Sequence, residues 1–175
     1  MEVKPATPVK KGALITAIIL LVGFIIYFSG AISINSFRVL TWIECMLLFT
    51  AIICSSVYYA NQMNGNVLFG NVFAEGFKTT AVIICLFSLC VVIFASFIFP
   101  GMADKVAGTI RLSLEKDNQL SSNQIDEYLS PLKNHFASIV TGFTILFFGV
   151  SGAVGSVTGA IIAKKKPKHQ FVKQS

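Results

Sequence analysis

Four stretches of this chain are apolar for longer than a water-soluble fold can hide, and that feature decides most of what it can become. A helix crossing the hydrocarbon of a bilayer needs about 20 predominantly apolar residues. Residues 13–34 (ALITAIILLVGFIIYFSGAISI), 39–60, 79–99 and 137–163 each reach that length. Lipid offers no partner for a backbone N–H or C=O, so each stretch must close its own hydrogen bonds as a helix. The expected fold is an all-α integral membrane bundle of four transmembrane helices. Composition agrees: the 175 residues are 54% hydrophobic and 13% charged, whereas a soluble domain carries about 25% charged residues. The run at 137–163 exceeds what a span needs, which predicts a tilt or an interfacial start.

The polar remainder follows from these limits: a basic N-terminus at 1–12, a connector at 61–78, a polar segment at 100–136 and a basic tail at 164–175. Charge then sets orientation. With both termini inside, the inner side holds Lys4, Lys10, Lys11, Lys78, Lys164, Lys165, Lys166, Lys168 and Lys173. The outer side holds only Arg38, Lys105, Arg111, Lys116 and Lys133. Nine against five of the 14 basic residues favours an N-in/C-in chain. Lysines gathered beside apolar spans meet anionic lipid, so the net charge of +6 is not read as a nucleic-acid footprint. Trp42 and the Tyr58–Tyr59 pair fit interfacial aromatic belts. Ser29 and Ala31 offer a small-x-small cleavage pattern, but the preceding core of Ala13 to Phe28 is longer than the usual 7–15 or so residues of a signal peptide. Span one is therefore expected to stay uncleaved.

Within 100–136, Val106, Ile110 and Leu114 form an amphipathic stripe, and Ser121 with Gln124 has capping-box spacing. Ile125, Tyr128, Leu129 and Leu132 then follow a helical period that Pro131 should end or kink. Two short helices lying on the outer mouth of the bundle are expected.

Candidate chemistry is sparse. Glu44 is the one ionisable residue inside the expected spans. A charged group at mid-membrane costs roughly 3 kcal/mol on insertion scales, so it normally faces a bundle interior or a cavity. Glu44 is thus the candidate intramembrane polar site, for a cation, a proton or a polar partner group. The competing reading lets it reach water near Arg38. The cysteines Cys45, Cys54, Cys85 and Cys90 sit in apolar runs without CxxC spacing and are expected as buried small hydrophobes. His135 and His169 have no spaced companions, so no metal site is proposed. No nucleophile–base set or carboxylate pair can be assembled at one depth, and neither enzyme activity nor a cofactor is expected.

Span four carries a packing signal instead. Ser151, Gly155, Gly159 and Ala163 recur every fourth residue, with Gly152, Ser156 and Ala160 in the adjacent row. Small residues on one face let helix backbones approach closely, the partner being another span, a second copy or another membrane protein. Gly23 and Gly30 in span one are weaker counterparts.

The connector NGNVLFGNVFAEGFK spaces Gly65 and Gly70 like the start of a P-loop, but Asn71–Val72 replaces the lysine and hydroxyl such a loop needs. A turn at Asn64–Asn66 followed by a membrane-surface helix fits better, with Phe69, Phe73 and Phe77 along one face and Lys164, Lys165 and Lys166 as further surface contacts. Gly65, Phe69, Gly70, Phe73, Gly76, Phe77 and Lys78 in this connector resemble a bacterial family called domain of unknown function 4199. The segment LSSNQIDEYL at Leu120 to Leu129 and the glycine-rich fourth span are similar to that family as well. The resemblance implies a four-span protein of the bacterial inner membrane with no assigned activity and no catalytic residues. The expected role is that of a non-enzymatic component acting through protein partners, or else a small transporter or channel subunit using Glu44.

Overall fold

A computed structural model describes residues 7–28, 34–63, 65, 67–98, 101–116 and 121–164. All its regular elements are helical. They are α1 (Pro8–Phe28), α2 (Ile34–Gln62), α3 (Phe69–Ile93), α4 (Met102–Lys116), α5 (Ser122–Asn134) and α6 (Phe136–Lys164), and α3 continues into a π-helical turn at Phe94–Ile98. Four of the rods, α1, α2, α3 with its π turn, and α6, are long and apolar enough to cross a membrane. The protein is a multi-pass membrane protein. We call the end bearing α4 and α5 the cap end, and the other the terminal end.

The third rod departs from expectation. Phe69–Ile98 is one continuous helical stretch of 30 residues, about 45 Å at the rise of an α-helix, rather than a surface helix followed by a span. Nothing breaks it between the two parts. Gly76, the obvious weak point, is buried, and the Thr79 and Thr80 hydroxyls donate back to the Glu75 and Gly76 carbonyls at 2.9 and 3.0 Å. Phe69, Phe73 and Phe77 do stack along one side, with ring centroids 6.4 and 5.9 Å apart. They do so on the rod that becomes the third span. The turn before it keeps Gly65 at φ +73°, a left-handed value that suits glycine, and its N–H donates to the Ala60 carbonyl at 2.9 Å. Asn64 and Asn66 lie outside the described residues, as do Gly30, Lys165, Lys166, His169 and the Arg38 side chain.

α6 packs most heavily, against α3 and α2, and α1 lies on α3 and α2. The small-residue stripe makes this possible. A Cβ on Gly152 would collide with Thr80 of α3, and one on Gly159 would stand 2.7 Å from Ser56 Cβ of α2. On Gly155 it would come within 3.4 Å of the Ile52 side chain. Ser151 shares a hydrogen bond with Cys45, the Ser156 hydroxyl donates to the Gly152 carbonyl at 2.7 Å, and Ala163 packs on Ala60, Val72 and Ala160. The face is therefore filled by α2 and α3 of the same chain. α1 makes its own close approach to α3 at Gly12, where a Cβ would meet Val82 at 2.7 Å. None of the cysteines is fully buried: Cys54 and Cys85 are exposed, Cys45 and Cys90 half-buried. Lipid solvates an apolar thiol as well as a core does, so these positions did not have to face inward.

The cap follows its sequence pattern at Ile110, Leu114, Ile125, Leu129 and Leu132, but Tyr128 is exposed, and Ala107 takes the core place expected of Val106, which lines a cavity of the bundle. The Ser121 N–H donates to the Gln124 side chain at 2.9 Å, opening α5. Pro131 lies in the last turn, and α5 runs on to Asn134, because a proline near a helix end removes only one late hydrogen bond. Ala107, Ile125 and Leu129 form a small core with Ile110, Leu114 and Leu132 around it. Exposed ion pairs Arg111–Asp126 (2.9 Å) and Lys133–Asp104 (3.2 Å) set the register of α4 on α5.

The fit of α6 is testable on one helix. Gly152→Ala is expected to destabilise the detergent-solubilised protein by about 1–3 kcal/mol through overpacking. Gly142→Ala, at a glycine with open space around it, should be neutral or stabilising by up to about 1 kcal/mol. Thermal unfolding of the two variants checks this, and equal melting temperatures would refute the packing account.

Candidate functional site

At the terminal end the hydroxyl-bearing residues cluster. Ser55 and Ser56 of α2, Thr79 and Thr80 of α3, and Ser156 of α6 are all buried. The hydroxyls of Ser55 and Ser56 have no hydrogen-bond partner among the described residues. Further toward this end lies an ion pair that connects α1 to α3. Lys11 Nζ stands 2.9 Å from Glu75 Oε1, with the two side chains only 9% and 11% exposed. The same ammonium sits over the rings of Tyr58 and Tyr59 of α2, 5.8 and 5.5 Å from their centroids. One lysine thus ties three helices through a carboxylate and two aromatic faces. Glu44 is accordingly not alone, since Lys11 and Glu75 also fall within candidate spans. The expectation missed them because α1 and α3 begin earlier than their hydropathy does. Nothing local links two residues 64 positions apart.

Across the middle of the bundle Ile19, Leu48, Ile52, Ile83 and Phe148 form a buried apolar layer, each at most 4% exposed. This plug separates the hydroxyl cluster from the cap end.

Beyond the plug the bundle opens. A cavity of about 270 Å³ lies between α1, α2, α3 and α6, with α4 across its mouth. Glu44, half-buried, lines it from α2, one helical turn outward of Leu48 in the plug. On the opposing α1 wall stands Gly23, where even a Cβ would come within 3.3 Å of Glu44 Oε1. The missing side chain there is what leaves the carboxylate facing the cavity. The other polar lining groups are Thr41, Thr144 and Lys105. The Thr144 hydroxyl already donates to the Val140 carbonyl at 2.9 Å, and Lys105 is exposed on α4. Most of the wall is aromatic. Phe24 meets Phe94 edge-on at 4.9 Å, Phe87 meets Phe148 at 5.0 Å, and Phe143 stacks on Phe147 at 4.1 Å. Phe94 belongs to the π-helical turn, and such turns recur at functional sites. No sequence pattern announced that turn.

Of the described residues singled out from sequence, Glu44 and Gly23 reach the cavity, and Val106 of the expected α4 stripe lines it too. The small face of α6 serves packing at the terminal end, where Phe73 of α3 packs on Ala60, Val72 and Ala160 while Phe69 and Phe77 are exposed. Among the described residues, one carboxylate with two hydroxyls can hold a ligand, a cation or a proton.

The ion pair gives a sharp expectation. Lys11→Met leaves Glu75 as an unpaired buried carboxylate and should cost about 3 kcal/mol or more. The double variant Lys11→Met/Glu75→Leu should recover most of the loss, because two apolar residues need no desolvation. A double-mutant cycle on thermal unfolding measures the coupling, and additive single effects would show that the pair is not one unit.

Against known proteins, the family described as protein of unknown function (DUF4199) matches residues 11–165. No curated protein and no solved structure matches the chain.

Proposed function

The chain belongs to the DUF4199 family of proteins of unknown function, and we propose that it works as a non-enzymatic membrane component that acts through what it binds, with the cap-end cavity as its binding site. The observation that carries this reading is the make-up of the cavity wall. Among the described residues it has one carboxylate set among aromatic and aliphatic side chains, a make-up that suits recognition, whereas bond-breaking commonly uses a second catalytic group. In this reading the protein sits in a bacterial inner membrane with both termini inside, as the lysine distribution favours. The cap helices then face outward, and α4 lies over the cavity where a protein partner could reach both.

A second reading is a carrier or channel subunit using Glu44. A cavity that stops at an apolar plug, with buried hydroxyls and an ion pair beyond it, supports it. It requires a second arrangement of the helices, or further copies, because the plug closes the path through a single chain. Loss of a measured transport activity in Glu44→Gln, with protein abundance unchanged, would favour it.

The binding reading is tested by mild purification from native membranes followed by mass spectrometry of the intact particle. Wild-type protein is expected to carry a small molecule or a protein in fixed proportion. Gly23→Leu, which pushes a side chain into the cavity, should lose it. Identical spectra for the two proteins would count against the cavity as the site.

A further inference from the structure

The cavity's chemistry narrows what can occupy it. Seven phenylalanines, Phe24, Phe87, Phe94, Phe136, Phe143, Phe147 and Phe148, line the cavity with one acidic side chain among the described residues. An aromatic face is electron-rich and attracts positive charge, most strongly where water is excluded. A carboxylate in the same wall adds a full opposite charge. From the juxtaposition of the Glu44 carboxylate with this ring of phenylalanine faces, we propose that the cavity is a binding site for a small lipophilic organic cation: a substituted ammonium head joined to an apolar body. This rests on the reading that the cavity is the working site, and it names the ligand class.

The alternatives fit less well. A divalent metal ion wants six or more oxygen ligands for calcium, or near-octahedral oxygen with bound water for magnesium. The wall supplies one carboxylate and the hydroxyls of Thr41 and Thr144. An anionic amphiphile would place its charge against Glu44. Among the described lining residues its positive counterpart is Lys105, which is exposed on α4. A purely apolar occupant would leave the carboxylate desolvated and without use. Gly23 supports the choice, since the space it leaves lies directly beside Glu44 Oε1, where a bulky head group needs room. Size matters too. At about 270 Å³ the cavity lies at the lower end of small-molecule sites, roughly 300–1,000 Å³, so the occupant is compact.

The test compares benzyltrimethylammonium with neopentylbenzene, its uncharged counterpart of nearly the same shape. Full-length protein in detergent is titrated with each, and binding is read by equilibrium dialysis against protein-free micelles and by the shift in melting temperature. We expect saturable binding of the cation, weaker by about tenfold or more in Glu44→Gln and largely kept in Glu44→Asp. The neutral compound should bind more weakly and ignore both substitutions. Equal binding of the two compounds to wild-type protein would overturn the proposal, and that comparison stands even if Glu44→Gln does not fold. So would cation binding that Glu44→Gln leaves unchanged in a monodisperse, helical preparation. If the cation does not bind while Gly23→Leu still strips a native occupant, the ligand class is wrong and the cavity remains the site. If Gly23→Leu changes neither the native particle nor any probe, both readings fall together.

Discussion

Inside a bilayer, burying apolar surface against another helix gains little, because lipid tails are as apolar as leucine. Association then depends on how closely backbones and side chains fit. In this protein the fit is made by α6. From Ser151 to Ala163 its inward face is Gly, Ser and Ala, and α2 and α3 close onto it until Thr80, Ile52 and Ser56 occupy the space where side chains would be. From Phe136 to Phe148 the same helix carries four phenylalanines, all of which line the cavity. One end of the bundle is consequently shut and the other open. The cavity at the cap end is the complement of the glycine contact at the terminal end, and both follow from the two halves of one helix.

Charge is partitioned along the same axis. At the shut end Lys11 and Glu75 satisfy each other, and Tyr58 and Tyr59 shield the ammonium with their ring faces. Glu44, at the open end, has no ion-pair partner among the described residues and faces the cavity. An apolar plug of Ile19, Leu48, Ile52, Ile83 and Phe148 keeps the two apart. A bundle built this way can hold something from the cap side without joining the two faces of the membrane. That separation is why binding is the more economical reading and transport the more demanding one.

The hydropathy pattern located four spans and two cap helices because length, apolarity, the Ser121–Gln124 spacing and the stripe at Ile125, Leu129 and Leu132 are local properties of the chain. It also found the small face of span four, since a four-residue period is visible without a partner. It divided residues 61–78 from 79–99, where the structure has one helical rod from Phe69 to Ile98. Glu75, Lys78 and three glycines between Asn64 and Lys78 look like surface composition, yet Gly76 is buried by Ser56 and Ser156, and the helix runs straight through. It placed the cysteines inside, although lipid makes the outside equally hospitable.

What the sequence by itself determined was the environment: apolar runs of that length have no stable place except a membrane, and their backbones have no option there but helix. Which residues share a site was decided only by the tertiary structure. Glu44 acquires its setting from Gly23 on α1, from phenylalanines on α1, α3 and α6, and from α4 above. Lys11 acquires its counter-ion 64 residues away. Those meetings depend on the rotation of each helix about its axis and on how closely α6 approaches its neighbours. In a chain apolar on all sides, side-chain fit across the interface sets these, and no single helix's own pattern does.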